Sequence, residues 1–229
     1  MADQTARRPF ALPFASVDSL RQNSLAAFAL DWGGMAISAF VSLIGSLYYV
    51  QSTRVLRPIY DDSYITLTFA RNLAEHGKLT FDGVHWSTGA TSPLHVAILA
   101  TLLKLGAAPF FASMAFGVAC QVALAAGVYL LTWSIFRDRL AALCGGCAIA
   151  LTSYAAMDAG NGLETGLFMA LLAFTFASYF LTSTRRGRLI PGVLIALAVL
   201  TRPEGMFLLP AIVVYHWLGL SCKSVGPYK

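Results

Sequence analysis

Hydrophobic positions along this chain gather into long uncharged runs separated by short polar segments. A helix needs about 20 consecutive apolar residues to cross a bilayer, and several runs approach or exceed that length. The pattern therefore predicts an all-α protein, a polytopic bundle of about six transmembrane helices. The predicted crossings are residues 33–50, 109–136, 140–157, 163–183, 189–200 and 205–220.

Two parts of this pattern need a separate interpretation. The apolar run 93–105 is too short to cross, so it predicts an interfacial or re-entrant helix. The last two runs are separated by Arg202-Pro203-Glu204, and the whole segment 189–220 is also compatible with one bent span.

Basic residues beside the apolar runs predict the orientation, because cytoplasmic loops of membrane proteins carry an excess of Lys and Arg. Six crossings from a cytoplasmic N-terminus place both chain ends inside. Ten of the sixteen Lys and Arg then lie in the cytoplasm: Arg7, Arg8, Arg21, Arg137, Arg139, Arg185, Arg186, Arg188, Lys223 and Lys229. The same arrangement places most acidic residues outside, and a bacterial inner membrane is the expected location.

Composition supports a membrane protein and excludes one alternative. The chain is 57% hydrophobic and 12% charged, whereas soluble domains carry about 25% charged residues. The net charge of +5 comes mainly from short loops beside apolar runs, so it does not indicate nucleic-acid binding. The expected division is a cytoplasmic tail at 1–32, a transmembrane domain at 33–220 and a tail at 221–229. Residues 51–108 form the first external loop.

The external loop contains a predicted amphipathic surface helix at 61–75. At 100° per residue, Asp61, Arg71 and Glu75 fall on a polar side, and Ile65, Phe69 and Leu73 on an apolar side. Asp61 and Asp62 begin this helix, where carboxylates commonly act as caps. Alternatively, one carboxylate acts as a general base and the other holds a cation or a sugar hydroxyl. The spacing does not decide which.

Two further polar groups are candidate ligand contacts. Thr91 and Ser92 precede the helix-start residue Pro93, where either could cap the helix or bind phosphate or sugar. Glu164 and Arg202 lie at the ends of apolar runs, where charges usually pair or line a polar cavity. Arg202 with Glu164 or Glu204 as a structural ion pair stays open beside a catalytic role.

Together, five segments occur in an order that resembles one known class of membrane enzyme. They are 61–65 (DDSYI), 69–74 (FARNLA), 89–94 (GATSPL), 162–165 (GLET) and 201–205 (TRPEG). The set resembles polyprenyl-phosphate-dependent membrane glycosyltransferases of the GT-C class, most closely their arabinofuranosyltransferase-like branch. The resemblance covers roughly residues 30–220.

This resemblance implies a reaction and assigns roles. Such enzymes transfer a sugar, with inversion, from a polyprenyl-phosphate donor to a glycan or lipid acceptor outside the membrane. It implies Asp61 as the first choice of general base, with Asp62 as its partner or as a metal ligand if a divalent cation is needed. Arg71, Lys78 and Arg202 are candidates for the carrier phosphate, and Glu164 and Glu204 for sugar hydroxyls or for orienting the arginines.

Two other functions stay open at this point. Family members continue with further spans and an external domain, so a truncated, non-catalytic homologue acting as a membrane scaffold is one alternative. A transporter subunit is the other, although charges in the middle of spans are nearly absent. Besides the donor and acceptor, membrane lipids are the expected partners.

Overall fold

The computed structural model describes residues 32–53, 60–182, 187 and 189–217. Within these residues the fold is helical, apart from a single β-bridge between Thr80 and Trp86. The elements are α1 (Trp32–Thr53), α2 (Asp61–His76), α3 (Pro93–Lys104), α4 (Pro109–Phe136), α5 (Arg139–Ala150), α6 (Ser153–Asn161), α7 (Thr165–Leu181), α8 (Leu189–Thr201), a 3₁₀ helix (Pro203–Phe207) and α9 (Leu208–Trp217). The all-α prediction is confirmed for this part of the chain.

Several predictions fall outside the described residues. They concern most of the N-terminal tail, the C-terminal tail and the basic residues Arg7, Arg8, Arg21, Arg185, Arg186, Arg188, Lys223 and Lys229. The tail predicted at 1–32 overlaps α1 by one residue, because that helix begins at Trp32.

Candidate membrane spans are present in the structure. Helices α1 and α4 are each long and apolar enough to cross a membrane, and α5 with α6 would form a third span if the bent pair crosses once. The protein is therefore a membrane protein with two or three candidate spans. Helices α7, α8 and α9 are apolar but shorter, so the prediction of six crossings stays a prediction.

Helix α1 has a polar side that is buried and an apolar side that is exposed. Ser38, Ser42 and Ser46 recur every fourth residue and are fully buried, whereas Phe40 and Tyr48 are 63% and 72% exposed. This is the reverse of a soluble amphipathic helix. It is typical of a helix in lipid, where small residues pack between helices and apolar side chains face acyl chains.

Helix α4 is the centre of the bundle and packs against α1, α5, α6 and α7. Close approach depends on small residues, since a Cβ added at Gly117 would collide with the carbonyl group of Ala159 in α6. The buried Gln121 ties three helices together. Its backbone oxygen accepts a hydrogen bond from the Ser42 hydroxyl, and its side-chain amide donates to the carbonyl oxygen of Ile149.

The uncharged run 140–157 is predicted to cross the membrane once, and this crossing stays a prediction because the run is bent in the structure. The structure divides it between α5 and α6, which meet at 53°. The backbone of Thr152 is extended at the break, and its hydroxyl donates to the carbonyl oxygen of Ala148 one turn earlier. Such side-chain bonds compete with the helical pattern and bend helices. Asp158 lies within α6.

Helices α2 and α3 form a pair beside the bundle. Leu67, Phe69 and Ala70 of α2 pack against Val96 and Leu99 of α3 in a buried apolar cluster. The predicted helix at 61–75 is confirmed, and Gly77 ends it in the left-handed conformation that glycine favours. On the apolar side of this helix Phe69 is buried, whereas Ile65 is 42% exposed.

Candidate functional site

A cavity of about 430 Å³ lies where α2 and the segment before α3 meet the start of α7 and the end of α8. Six of the nine residues that the sequence marked as candidates line it, and they come from four separate parts of the chain. Its lining consists of Asp62, Ile65, Thr66, Phe69, Gly89, Ala90, Thr91, Ser92, Val96, Glu164, Arg202, Pro203 and Glu204.

Helix α2 presents Asp62, and not its neighbour Asp61, to this cavity. The rotation of the helix is fixed by its buried side, where the Ser63 hydroxyl donates to the backbone oxygen of Asn161 at 2.7 Å. Adjacent helical residues point about 100° apart. Asp62 therefore shares its face with Thr66 and Phe69, which also line the cavity, whereas Asp61 is exposed outside the lining.

The wall opposite α2 is built by an ion pair between two separate apolar helices. One carboxylate oxygen of Glu164 accepts a hydrogen bond from Nε of Arg202 at 3.2 Å and lies 3.1 Å from Nη2 in an ion pair. The Glu164 side chain is 14% exposed and that of Arg202 36%. The Arg202–Glu164 pair left open by the sequence is therefore present. Because a guanidinium has five N–H donors, Arg202 keeps donors for a ligand.

Thr91 and Ser92 form a third wall. Ser92 occupies the N-cap position of α3, and its backbone oxygen accepts from the amide of Val96. Its hydroxyl makes no capping hydrogen bond, although the sequence allowed that role. The segment therefore enters the helix with Pro93 at its start and leaves two hydroxyl side chains beside the cavity.

Charges lining the cavity are predominantly acidic. Asp62, Glu164 and Glu204 carry three negative charges against the single positive charge of Arg202. Carboxylates that are not neutralised are suited to accept hydrogen bonds from sugar hydroxyls or to take up a proton. A phosphate would have to lie close to Arg202, since the carboxylates repel it.

The other two predicted cations lie elsewhere. Arg71 donates from Nε to Glu75 one helical turn away at 2.8 Å, in an exposed pair. This contact lowers the pKa of Glu75 and raises that of Arg71. Lys78 is exposed in the segment after α2, and neither cation lines the cavity. The structure therefore does not bring Arg71 or Lys78 together with the other candidates.

A divalent cation does not fit the donors in the described part of the chain. Among these residues, no group of three His, Cys, Asp or Glu side chains lies close enough to hold a metal ion. Asp61 and Asp62 point in different directions, and Glu164 is occupied by Arg202.

His95 is a feature of this region whose importance the sequence did not indicate. It lies in the first turn of α3, fully buried and stacked on Phe116, with no hydrogen-bond partner for either ring nitrogen among the described residues. Burial lowers its pKa to about 4, although the charge of Glu164 acts in the opposite direction. The imidazole is therefore neutral at physiological pH. A single histidine in an apolar run of the sequence does not indicate that its side chain is buried.

A tight turn around Asp82 precedes the segment 89–92 that lines the cavity. The carboxylate of Asp82 accepts hydrogen bonds from the Val84 and His85 amides, the Thr80 hydroxyl and the His85 ring. These donors, the His85 ring first, hold the pKa of Asp82 well below its ordinary value. The side-chain amide of Asn72 anchors the turn to α2 by donating to the carbonyl oxygens of Thr80 and Phe81. The turn thus fixes where residues 89–92 begin.

Comparison with known proteins adds no family assignment to this geometry. The chain matches no protein-family model, no curated protein and no solved structure.

Proposed function

We propose that this protein is a membrane glycosyltransferase of the GT-C class that takes its sugar from a polyprenyl-phosphate donor. The observation that carries the proposal is the cavity itself. Asp62, Thr91, Ser92, Glu164, Arg202 and Glu204 come from segments up to 142 residues apart in the chain and line one space. These are residues of four of the five segments that resemble that class, so the resemblance in sequence coincides with proximity in space.

The arrangement supports a direct displacement with Asp62 as general base. The carboxylate of Asp62 takes the proton of the acceptor hydroxyl while the acceptor oxygen forms a bond to the anomeric carbon. The bond from that carbon to the phosphate oxygen breaks on the opposite face, and the polyprenyl phosphate leaves with the electron pair. Attack from the face opposite the leaving group inverts the anomeric carbon.

The remaining lining residues take roles that follow from their chemistry. The donors of Arg202 that Glu164 leaves free contact the phosphate as it gains charge. Glu164 is a positioning residue, because it holds that guanidinium in place. The hydroxyls of Thr91 and Ser92 and the carboxylate of Glu204 bind the sugar.

The proposed setting is the one that the charge pattern predicts. The chain lies in a bacterial inner membrane with its N-terminus in the cytoplasm and six crossings. The cavity then faces the outside, where a glycan or lipid acceptor is reached.

Two adjacent carboxylates provide a matched test of this function. A strain lacking the corresponding transferase receives the wild-type chain, Asp62→Asn or Asp61→Asn, and its surface glycan is analysed by mass spectrometry. Loss of a general base slows transfer about 10²- to 10⁴-fold, so Asp62→Asn should restore no detectable sugar. Asp61→Asn should restore the wild-type glycan, because Asp61 does not line the cavity.

Membrane insertion of each variant is checked by immunoblotting of membrane fractions. A wild-type chain that inserts and restores nothing would favour the non-catalytic scaffold. Equal activity of the wild type and Asp62→Asn would remove Asp62 as the base.

A further inference from the structure

A second depression lies between α2 and α3, on a different side of α2 from the cavity. Arg71 is about 180° around the helix from Asp62, since nine residues separate them at 100° each. Two neighbouring hollows of about 300 and 490 Å³ both have Ala74 and Lys104 in their linings, and together they are called the groove.

The groove has an apolar wall and a cationic edge. Leu73, Ala97, Ala100 and Leu105 line the apolar part. Lys104, in the last turn of α3, stands at the junction of the two hollows, and no carboxylate of the described residues lies within ion-pair distance of it. Arg71 and Glu75 line the far end, where their charges balance each other. The net charge of the groove is therefore positive.

The groove lies beside the start of a candidate membrane span. Ala107 and Pro109 line the larger of the two hollows, and Pro109 is the first residue of α4, the longest candidate span. Leu105 and Phe111 beside this point are 79% and 64% exposed. Apolar side chains exposed at the start of a span belong at the boundary of the hydrocarbon region, where lysine side chains reach the headgroups.

We propose that this groove binds an anionic phospholipid. The headgroup phosphate pairs with Lys104, and one acyl chain lies along Leu73, Ala97 and Ala100. An apolar groove with a cation at its edge, open at the start of a span, complements a molecule with an anionic head and an apolar tail. A bound lipid would fill the space between α2 and α3 and so support the helix that carries Asp62.

The test measures lipid binding without any sugar donor, so its outcome is independent of the proposed transfer reaction. The full chain is purified in a nonionic detergent and titrated, under native mass spectrometry, with phosphatidylglycerol or phosphatidylcholine of identical acyl chains. Phosphatidylglycerol should bind more tightly. Lys104→Gln should weaken phosphatidylglycerol binding about fivefold, which corresponds to the usual contribution of one lysine near an anionic lipid.

Two further variants test the contribution of the acyl chain and provide a control for the loss of a lysine. Ala97 is exposed at the wall of the groove, so Ala97→Trp fills the groove without entering the buried core and should weaken both lipids. Lys78→Gln removes an exposed lysine that does not line the groove and should change neither. Thermal denaturation confirms that each variant is folded.

The proposal is overturned by equal binding of the two lipids, or by wild-type binding of phosphatidylglycerol to both Lys104→Gln and Ala97→Trp. Glycerol phosphate competing as effectively as phosphatidylglycerol would also overturn it, because the acyl chain would then contribute nothing.

Discussion

At the scale of single residues, chemically identical groups have different surroundings. Asp61 and Asp62 are adjacent and both exposed, yet only Asp62 is among the residues lining the cavity. His76 and His85 lie at the surface, whereas His95 is fully buried. The sequence does not indicate these differences, because burial depends on which face of a helix packs against the next one.

The burial of His95 predicts a pH dependence of stability. Its folded pKa of about 4 lies below the ordinary value of 6.5, so between these values the unfolded chain binds a proton that the folded chain does not. The part of the folding stability that depends on neutral His95 is therefore fully present above about pH 6.5. It is lost as the pH drops towards 4, and the loss amounts to up to about 3 kcal/mol. Thermal denaturation of the wild type in detergent at pH 7.5, 5.5 and 4.5 measures this loss.

Two variants identify the group responsible. In His95→Phe most of the loss between pH 6.5 and 4 should disappear, and at neutral pH the variant should be at least as stable as the wild type, because an unpartnered buried polar group is removed. His76→Gln, at an exposed position, should keep the wild-type dependence. An unchanged pH dependence in His95→Phe would show that another group is responsible.

At the scale of elements, one hydrogen bond couples the first turn of α2 to the bundle. The hydroxyl of Ser63 is buried against the backbone of Asn161, at the end of α6 and just before the segment that carries Glu164. This bond connects the helix bearing Asp62 to the wall bearing the Arg202–Glu164 pair. The spacing of residues in α2 predicted the helix, but its rotation is set by this contact and by the packing of Leu67 and Ala70.

Ser63→Ala should therefore affect both stability and the site. Removing the hydroxyl leaves the buried carbonyl of Asn161 without this donor, which costs about 1–3 kcal/mol. Thr68→Ala is the matched control, because the Thr68 hydroxyl only donates to Tyr64 within the same helix. Thermal denaturation and glycan analysis of both variants measure the effect. Equal losses in the two variants would mean that the contact between α2 and α6 does not position the site.

At the scale of the whole molecule, the proposed topology places two segments on opposite sides of the membrane. The turn around Asp82 belongs to the first external loop, whereas Gly187 lies in the segment predicted to be cytoplasmic. In a cysteine-free background, Val84→Cys should react with a membrane-impermeant maleimide in intact cells. Gly187→Cys should react only after the membrane is opened. Labelling of both positions in intact cells would contradict six crossings.

The sequence alone determined the class of protein and most of its elements. Long uncharged runs require helices in a bilayer, because a backbone in lipid must satisfy its hydrogen bonds internally. The helix at Asp61–His76 and the short helix at Pro93–Lys104 also followed from periodicity and length. The pairing of Arg202 with Glu164 was one of the alternatives that the cost of charges beside apolar runs had left open.

Only the tertiary structure decided which candidates share one space. Residues far apart in the chain meet through the packing of α2 against α3 and of α7 against α8, and local patterns contain no information about these contacts. The same packing determines that Asp62 lines the cavity and Asp61 does not. It also leaves Arg71 and Lys78 away from the cavity and buries His95. The break between α5 and α6 was equally hidden, because the residues on both sides of it belong to one uncharged run.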